Sequence, residues 1–135
     1  MTSELLDYLF AEPKNTTPRA TVFLIHGWPD ISFSWRYQIP VLVKLGLRVV
    51  APDMMGYGGT DAPKVSKNEL EPYSMKRASD DVAELAKQLG VDRIIIGGHD
   101  WGGAIVYRCA LWHPELFTHG GSMSHDPYTL DPLVI

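Results

Sequence analysis

The stretch RIIIGGHDWGG, residues 93–103, decides the fold of this chain. A short run of β-branched residues passes directly into a glycine-rich turn, and an apolar segment from Ala104 to His113, predicted as a helix, follows before Pro114. The order of strand, tight turn and helix is typical of a parallel α/β sheet, in which functional groups lie at the carboxyl ends of the strands. Asp100 occupies that place in the turn.

Two glycines make a sharp turn around Asp100 possible. Gly98 and Gly102 stand two residues before and two residues after it, and small residues there permit the bend called a nucleophile elbow. The elbow usually carries serine. A carboxylate acylates poorly, but it can attack a saturated carbon that bears a leaving group and form an alkyl ester, which water must then hydrolyse. Epoxides and alkyl halides meet that demand.

The same turn is open to two other interpretations. Asp100 can be a simple cap of the following helix, a role that aspartate performs well. A dinucleotide site is the second, but the glycines are arranged as GGxxxGG rather than GxGxxG, and no glycine-lysine pair follows for a phosphate loop. Taken alone, the turn leaves nucleophile and cap equally open.

A second loop favours the nucleophile. The sequence HGWPD, residues 26–30, leaves the buried apolar run 21–25, which predicts a central strand, and therefore faces the same crevice. Hydrolysis of an ester on Asp100 builds a negative oxygen that needs two backbone N–H donors. Trp101, directly after the nucleophile, and Trp28 are the natural pair. Pro29 fixes the backbone beside them, and a cis Trp28–Pro29 bond is expected.

The remaining elements complete a single α/β domain, with a mostly parallel sheet and helices on both faces. Ser32 and Ser34 are candidate helix caps, and Pro40 must kink or restart the helix that follows them. Further predicted elements are strands at 47–51 and 93–96, a long surface loop over 53–73, a helix from Met75 to Leu89 that Ser74 caps and Gly90 stops, and a weaker strand at 117–123.

Composition restricts the possible partners. The 135 residues are 45% hydrophobic and carry a formal charge of −4 without a basic cluster, which argues against nucleic acid or an anionic membrane surface as a partner. No apolar run reaches the length of a membrane helix. The lone Cys109 and an acidic start without a secretory leader favour a cytoplasmic location. Neither the histidine spacing nor the single cysteine resembles a metal site.

With both loops placed, the chain resembles the epoxide hydrolase branch of the α/β-hydrolase family. The motifs in family order are HGWP at 26–29, SWRYQIP at 34–40, Asp53 with GYGGTDAP at 56–63, and GHDWGG at 98–103. The resemblance implies that Asp100 is the nucleophile that opens a small-molecule epoxide to a diol. It also implies that Trp28 and Trp101 supply the oxyanion-hole N–H groups, that Trp28, Pro29 and Trp101 contact substrate, and that no cofactor is needed.

Haloalkane dehalogenases are the alternative within the same family. They share the Asp-Trp pair, and there the indole N–H of the tryptophan helps to hold the departing halide. The Trp-Arg-Tyr-Gln-Ile-Pro run, residues 35–40, is more similar to epoxide hydrolases. Met54 and Met55 depart from the family, which often has a basic residue just before its Gly-Tyr-Gly motif.

The resemblance also predicts an incomplete core. The family's helical cap, with its tyrosines, and the catalytic histidine lie downstream of the position that corresponds to Ile135, and His125 and Asp126 are weak stand-ins for a base and an acid. We therefore expect residues 1–135 to form one truncated α/β-hydrolase core without multiple turnover. An unpaired sheet edge would favour self-association, so a non-catalytic fragment that acts by association is the second hypothesis.

Overall fold

The computed structural model describes residues 5–117, which form a mixed four-stranded sheet of order β1-β3-β2-β4 with helices on both faces. The strands are β1 (Tyr8–Ala11), β2 (Thr21–Ile25), β3 (Arg48–Pro52) and β4 (Ile95–Gly98). The α-helices are α1 (Gln38–Lys44), α2 (Met75–Gln88) and α3 (Trp101–Trp112), and 3₁₀ turns span Ser32–Tyr37, Glu71–Tyr73 and Pro114–Leu116. The predicted α/β class is confirmed.

The predicted central strand lies in the middle of the sheet. β2 pairs in parallel with β3 on one side and with β4 on the other. All five of its side chains are buried, which explains why the sequence shows a continuous apolar run instead of an alternating one. The three parallel strands therefore deliver their carboxyl ends to one edge of the sheet.

Side-chain alternation along the central strands separates two apolar layers. Phe23 and Ile25 of β2 face α2 and α3, whereas Val22 and Leu24 face α1. The first layer is the larger and includes Val82 of α2 together with residues of α3. This arrangement gives the three layers expected from alternating strands and helices.

β1 was not predicted from the sequence. It pairs antiparallel with β3 in the register Tyr8↔Pro52 and forms one edge of the sheet. Leu9 and Phe10 remain 38% and 47% exposed, so the segment lacks the fully buried pattern that identified the other strands. The sheet is consequently mixed, with one antiparallel edge strand on a parallel core.

Several predicted boundaries near the site were wrong. The strand predicted at 93–96 lies two residues further along the chain, as β4, because Gly97 and Gly98 pair with Leu24 and Ile25 of β2 and continue the parallel ladder. The helix predicted to begin at Ala104 begins three residues earlier, since the turn at Asp100 already redirects the chain. The strand predicted at 47–51 is displaced by a single residue.

Of the predicted helix caps, Ser74 is confirmed, whereas Ser32 and Ser34 are wrong. Ser74 caps α2, and its Oγ accepts the Arg77 N–H at 3.1 Å. Ser32 and Ser34 do not cap, because Ile31 holds the N-cap position of a 3₁₀ turn without a side-chain bond. Pro40 lies in the first turn of α1, so the helix restarts there instead of kinking.

Phe117 forms an isolated parallel bridge with Ile94, and the rest of the strand predicted at 117–123 falls outside the described residues. Ile95 of β4 is 43% exposed. Self-association through this edge stays a prediction.

Among residues 5–117 we find no helix with the length and apolar character needed to cross a bilayer.

The burial of Cys109 provides a test of the α3 packing. Burial raises the pKa of its thiol to about 11, and the thiolate is the reactive form. We expect iodoacetamide at pH 8 to modify the native chain at least about 100-fold more slowly than the chain unfolded in urea. Intact mass spectrometry measures both rates, with Cys109→Ala as the unreactive control. Equal rates would show that α3 does not pack against the sheet in this way.

Candidate active site

The site lies where the loops after β3, β2 and β4 meet, at the carboxyl edge of the sheet. Because these strands are parallel neighbours, the segments that begin at Asp53, His26 and His99 leave the sheet side by side. The His99 N–H donates to the Ile25 carbonyl at 3.1 Å, which fixes the turn against the end of β2. The two loops predicted to converge do so.

Asp100 occupies a strained turn of the kind that the glycine spacing predicts. Its φ of 55° and ψ of −123° lie in a region that non-glycine residues rarely adopt. Such a conformation costs about 1–3 kcal/mol and persists only when the surroundings enforce it. Here the Gly102 N–H donates to the His99 carbonyl at 2.9 Å, and the Gly103 N–H donates to the Asp100 carbonyl at 3.0 Å.

The two flanking glycines are required by contact distances. A Cβ on Gly98 would lie 2.4 Å from the Gly102 carbonyl oxygen, and a Cβ on Gly102 would lie 2.2 Å from that of Ile25. Both values are far below van der Waals contact. Any side chain at these positions would push the start of α3 away from β2 and β4.

Trp28 and Asp100 are in direct contact. The Trp28 N–H donates to Asp100 Oδ2 at 3.0 Å. A Cβ on Gly27 would lie 2.6 Å from Asp100 Cβ, so only glycine allows this approach. The Trp28–Pro29 bond is cis, as expected. Trp101 is the first residue of α3, so its backbone N–H has no partner within the helix.

A cleft of about 280 Å³ opens beside this pair. Trp28 and Trp101 line it and stay 65% and 56% exposed, whereas Pro29 lies outside its lining. No charged side chain of the described residues lines the cleft. Its wall is apolar and aromatic, and it includes Met54, Met55, Tyr57, Tyr73, Met75 and Ile105.

These wall residues were not predicted as site residues. Met54 and Met55 are 6% and 8% exposed, although they belong to a segment predicted as surface loop. A pair of large apolar residues directly after a strand was the available signal. No sequence signal marked Tyr73 and Met75 as site residues, because only the fold brings the start of α2 to the cleft.

His26 connects two of the loops. The Met54 N–H donates to His26 Nε2 at 2.9 Å, so the ring hydrogen lies on Nδ1, which donates to the Gly27 carbonyl at 2.8 Å. Both ring nitrogens are therefore occupied. The edge of the ring contacts Tyr57 at a centroid distance of 5.2 Å.

Asp53 is a buried carboxylate at the end of β3, which β2 separates from β4 and the Asp100 turn. Its Oδ1 accepts the Ser32 N–H at 2.7 Å, and its Oδ2 accepts the Gly59 N–H at 3.1 Å. Burial acts to raise the pKa of Asp53, but the bonds from Ser32 and Gly59 outweigh it and hold the pKa below the ordinary value. The group is ionised at neutral pH.

Other titratable groups lie elsewhere. His113 Nε2 is 2.8 Å from Asp80 Oδ1, in a contact that joins α2 to the end of α3. His125 and Asp126, the weak stand-ins for base and acid, fall outside the described residues. Within residues 5–117 no three histidine, cysteine or acidic side chains converge as metal ligands would.

Comparison with known proteins agrees with this geometry. A family model described as the alpha/beta hydrolase fold matches residues 20–132. The chain belongs to the α/β-hydrolase family, and its relatives bear the names of epoxide hydrolases.

Three relatives show the extent of the likeness. Epoxide hydrolase srdG of Neurospora crassa is 46% identical over 120 residues, which are 85% of this chain and 34% of that protein. Bifunctional epoxide hydrolase 2 of Sus scrofa is 46% identical over 94 residues, 70% of this chain and 16% of that protein. The crystal structure of Epoxide Hydrolase A from Mycobacterium thermoresistibile superposes with a TM-score of 0.78 at 36% identity, covering 90% of this chain and 36% of that one. The chain spans about a third or less of these proteins.

The lowered pKa of Asp53 predicts how stability depends on pH. A carboxyl whose pKa falls on folding stabilises the fold above its unfolded pKa of about 3.9, and this contribution is lost as the pH falls through the folded value. We expect Asp53→Asn to lower the free energy of unfolding by about 1–3 kcal/mol at pH 7. The gap to the parent should shrink below a pH of about 4.

Urea unfolding from pH 7 to pH 3 measures this gap. Asp92→Asn, at an exposed position, controls for the loss of one negative charge. A gap that stays constant over the whole range would contradict the assignment of Asp53 as an ionised acceptor.

Proposed function

We propose that this chain carries the nucleophile and oxyanion-hole part of an epoxide hydrolase site, with Asp100 as the nucleophile. The contact between the Trp28 N–H and Asp100 Oδ2 is the observation that carries the proposal. A helix cap would direct its carboxylate to the N–H groups of its own helix, but Asp100 makes no side-chain cap bond. Its carboxylate is instead bonded to a loop from another strand.

The bond assigns different roles to the two carboxylate oxygens. The Trp28 N–H holds Oδ2, so Oδ1 attacks an epoxide carbon. A new bond forms between Oδ1 and that carbon, the ring C–O bond breaks, and the ring oxygen takes up a proton from water, which leaves hydroxide in solution. The product is a 2-hydroxyalkyl ester in which Oδ2 is the carbonyl oxygen.

The same N–H then serves the second step. When water attacks the ester, negative charge develops on Oδ2, which already faces Trp28. The Trp101 N–H at the start of α3 is the second donor of the proposed oxyanion hole. Loss of one such donor typically costs about 10²–10³ in rate. Because the negative charge on Oδ2 develops when water attacks the ester, the alignment of the Trp28 N–H matters more for ester hydrolysis than for ester formation.

The cleft suits an apolar epoxide. An apolar, aromatic wall without charged side chains binds neutral, hydrophobic groups. Displacement of a halide is the second candidate, and the exposed Trp101 side chain on the cleft wall supports it. The names of the relatives favour the epoxide.

We further propose that the 135-residue chain by itself stops at the ester. His26 is the only histidine among the described residues that line the cleft, and both of its ring nitrogens are engaged. Among residues 5–117, therefore, no histidine on the cleft has a ring nitrogen available to activate the hydrolytic water. The ester should therefore accumulate.

Intact mass spectrometry after incubation with styrene oxide tests the proposal. We expect a single adduct of the mass of one epoxide on the parent chain, its loss in Asp100→Asn, and little diol. Asp80→Asn is the matched control, because it removes a hydrogen-bonded carboxylate that contacts His113 and does not line the cleft, and it should leave the adduct unchanged.

Three results would change the account. An adduct that persists in Asp100→Asn would place the reaction at another residue. Sustained diol formation that needs Asp100 would contradict the stop at the ester. An alkyl adduct from a bromoalkane, with none from the epoxide, would favour the dehalogenase chemistry.

A further inference from the structure

We propose that Asp53 is a positioning residue: it holds the far end of the Trp28 loop, residues 27–31, and so aims the Trp28 N–H at Asp100. His26 holds the near end of the same loop. The catalytic purpose of this alignment rests on the proposed function. The alignment of the Trp28 N–H with Asp100 is present without any reaction.

The near end is fixed through the loop that follows β3. His26 is 2% exposed and bridges the Gly27 carbonyl and the Met54 N–H. Gly27 itself is buried against Asp100. The first residue of the Trp28 loop is therefore held from both sides.

The far end of the Trp28 loop is fixed by Asp53, the residue directly before Met54. Asp53 Oδ1 accepts the Ser32 N–H at 2.7 Å, directly after the loop ends. Both groups are buried, with Ser32 at 5% and Asp53 at 6% exposure. A charge-assisted bond between buried groups is short and strong, so it fixes the point at which the 3₁₀ turn begins.

Most side chains of the Trp28 loop are exposed to solvent. Trp28 and Ile31 are 65% and 41% exposed, and Pro29 is exposed as well. Since the loop's middle side chains bury little surface, the direction of the Trp28 N–H depends on where the two ends are held. Asp53 and Met54, adjacent in sequence, contact those two ends.

Asp53 is held rigidly enough for this role. Its second oxygen accepts the Gly59 N–H, and its backbone N–H donates to the Asp7 carbonyl at 2.9 Å. The Thr60 hydroxyl donates to its backbone carbonyl. A Cβ on Gly58 would lie 1.7 Å from Asp53 Oδ2, so glycine there leaves space for the carboxylate.

Asparagine has the shape of this side chain but only one of its two hydrogen-bond acceptor oxygens. An ionised carboxylate offers acceptors on both oxygens, whereas the amide of asparagine has one acceptor oxygen and one donor nitrogen. In Asp53→Asn the nitrogen must face either the Ser32 or the Gly59 N–H. In the first orientation the Ser32 contact becomes repulsive, and in the second it keeps an acceptor but loses the charge that strengthens the bond. In both cases the hold on Ser32 weakens, so we expect the far end of the Trp28 loop to shift.

The test is the ¹H–¹⁵N NMR spectrum of the full chain, with the Trp28 amide as the reporter. Asp100→Asn sets the reference, because it removes the charged acceptor and should move the Trp28 amide proton upfield. We expect Asp53→Asn to produce at least half of that shift although Asp100 is intact. The amides of β2 and β3 should stay in place, and Asp80→Asn should leave Trp28 unchanged.

A second variant reaches the same bond from its other side. Ser32→Pro removes the N–H that Asp53 accepts, at the first position of a 3₁₀ turn where the fixed φ of proline fits. The same shift at Trp28 is expected. An unchanged Trp28 amide in a folded Asp53→Asn or Ser32→Pro chain would overturn the proposal. Because this readout needs no substrate, failure of the epoxide reaction is recorded separately by the mass assay.

Discussion

The close approach of the first turn of α3 to the ends of β2 and β4 is the constraint on which the rest of the structure depends. At Gly98 and Gly102 backbone meets backbone with no space for a single carbon. This packing bends the chain between strand and helix and supports the positive φ of Asp100. The residue type at the bend then decides the chemistry, and here it is a carboxylate in place of the usual serine.

The site that results is made mostly of backbone. Three parallel strands end side by side, and each contributes one part: β4 leads to the proposed nucleophile Asp100, β2 to the N–H that faces it, and β3 to the contacts that hold the β2 loop. Such dipoles need little reorganisation when charge develops, which is why preorganised N–H groups stabilise oxyanions effectively.

The features predicted from sequence are those with a local signature. The strand at 21–25 and the cap at Ser74 each depend on residues within a few positions, and the glycines that flank Asp100 mark the turn although packing against Ile25 enforces it. The convergence of the Trp28 and Asp100 loops was predicted because both had to leave neighbouring strands at the same edge. The missed features depend on distant contacts: Asp53 meets Ser32 across 21 residues, and β1 is recognisable only by its pairing with β3.

The central claim is that close packing, and not local preference, builds the elbow. The measurement that tests it most directly is the free energy of unfolding of Gly102→Ala. Gly102 lies in the first turn of α3, where alanine would be favoured by at most about 1 kcal/mol on helix propensity alone. Contact with the Ile25 carbonyl predicts the opposite sign, a loss of about 1–3 kcal/mol. A Gly102→Ala chain as stable as the parent, or more stable, would contradict the account.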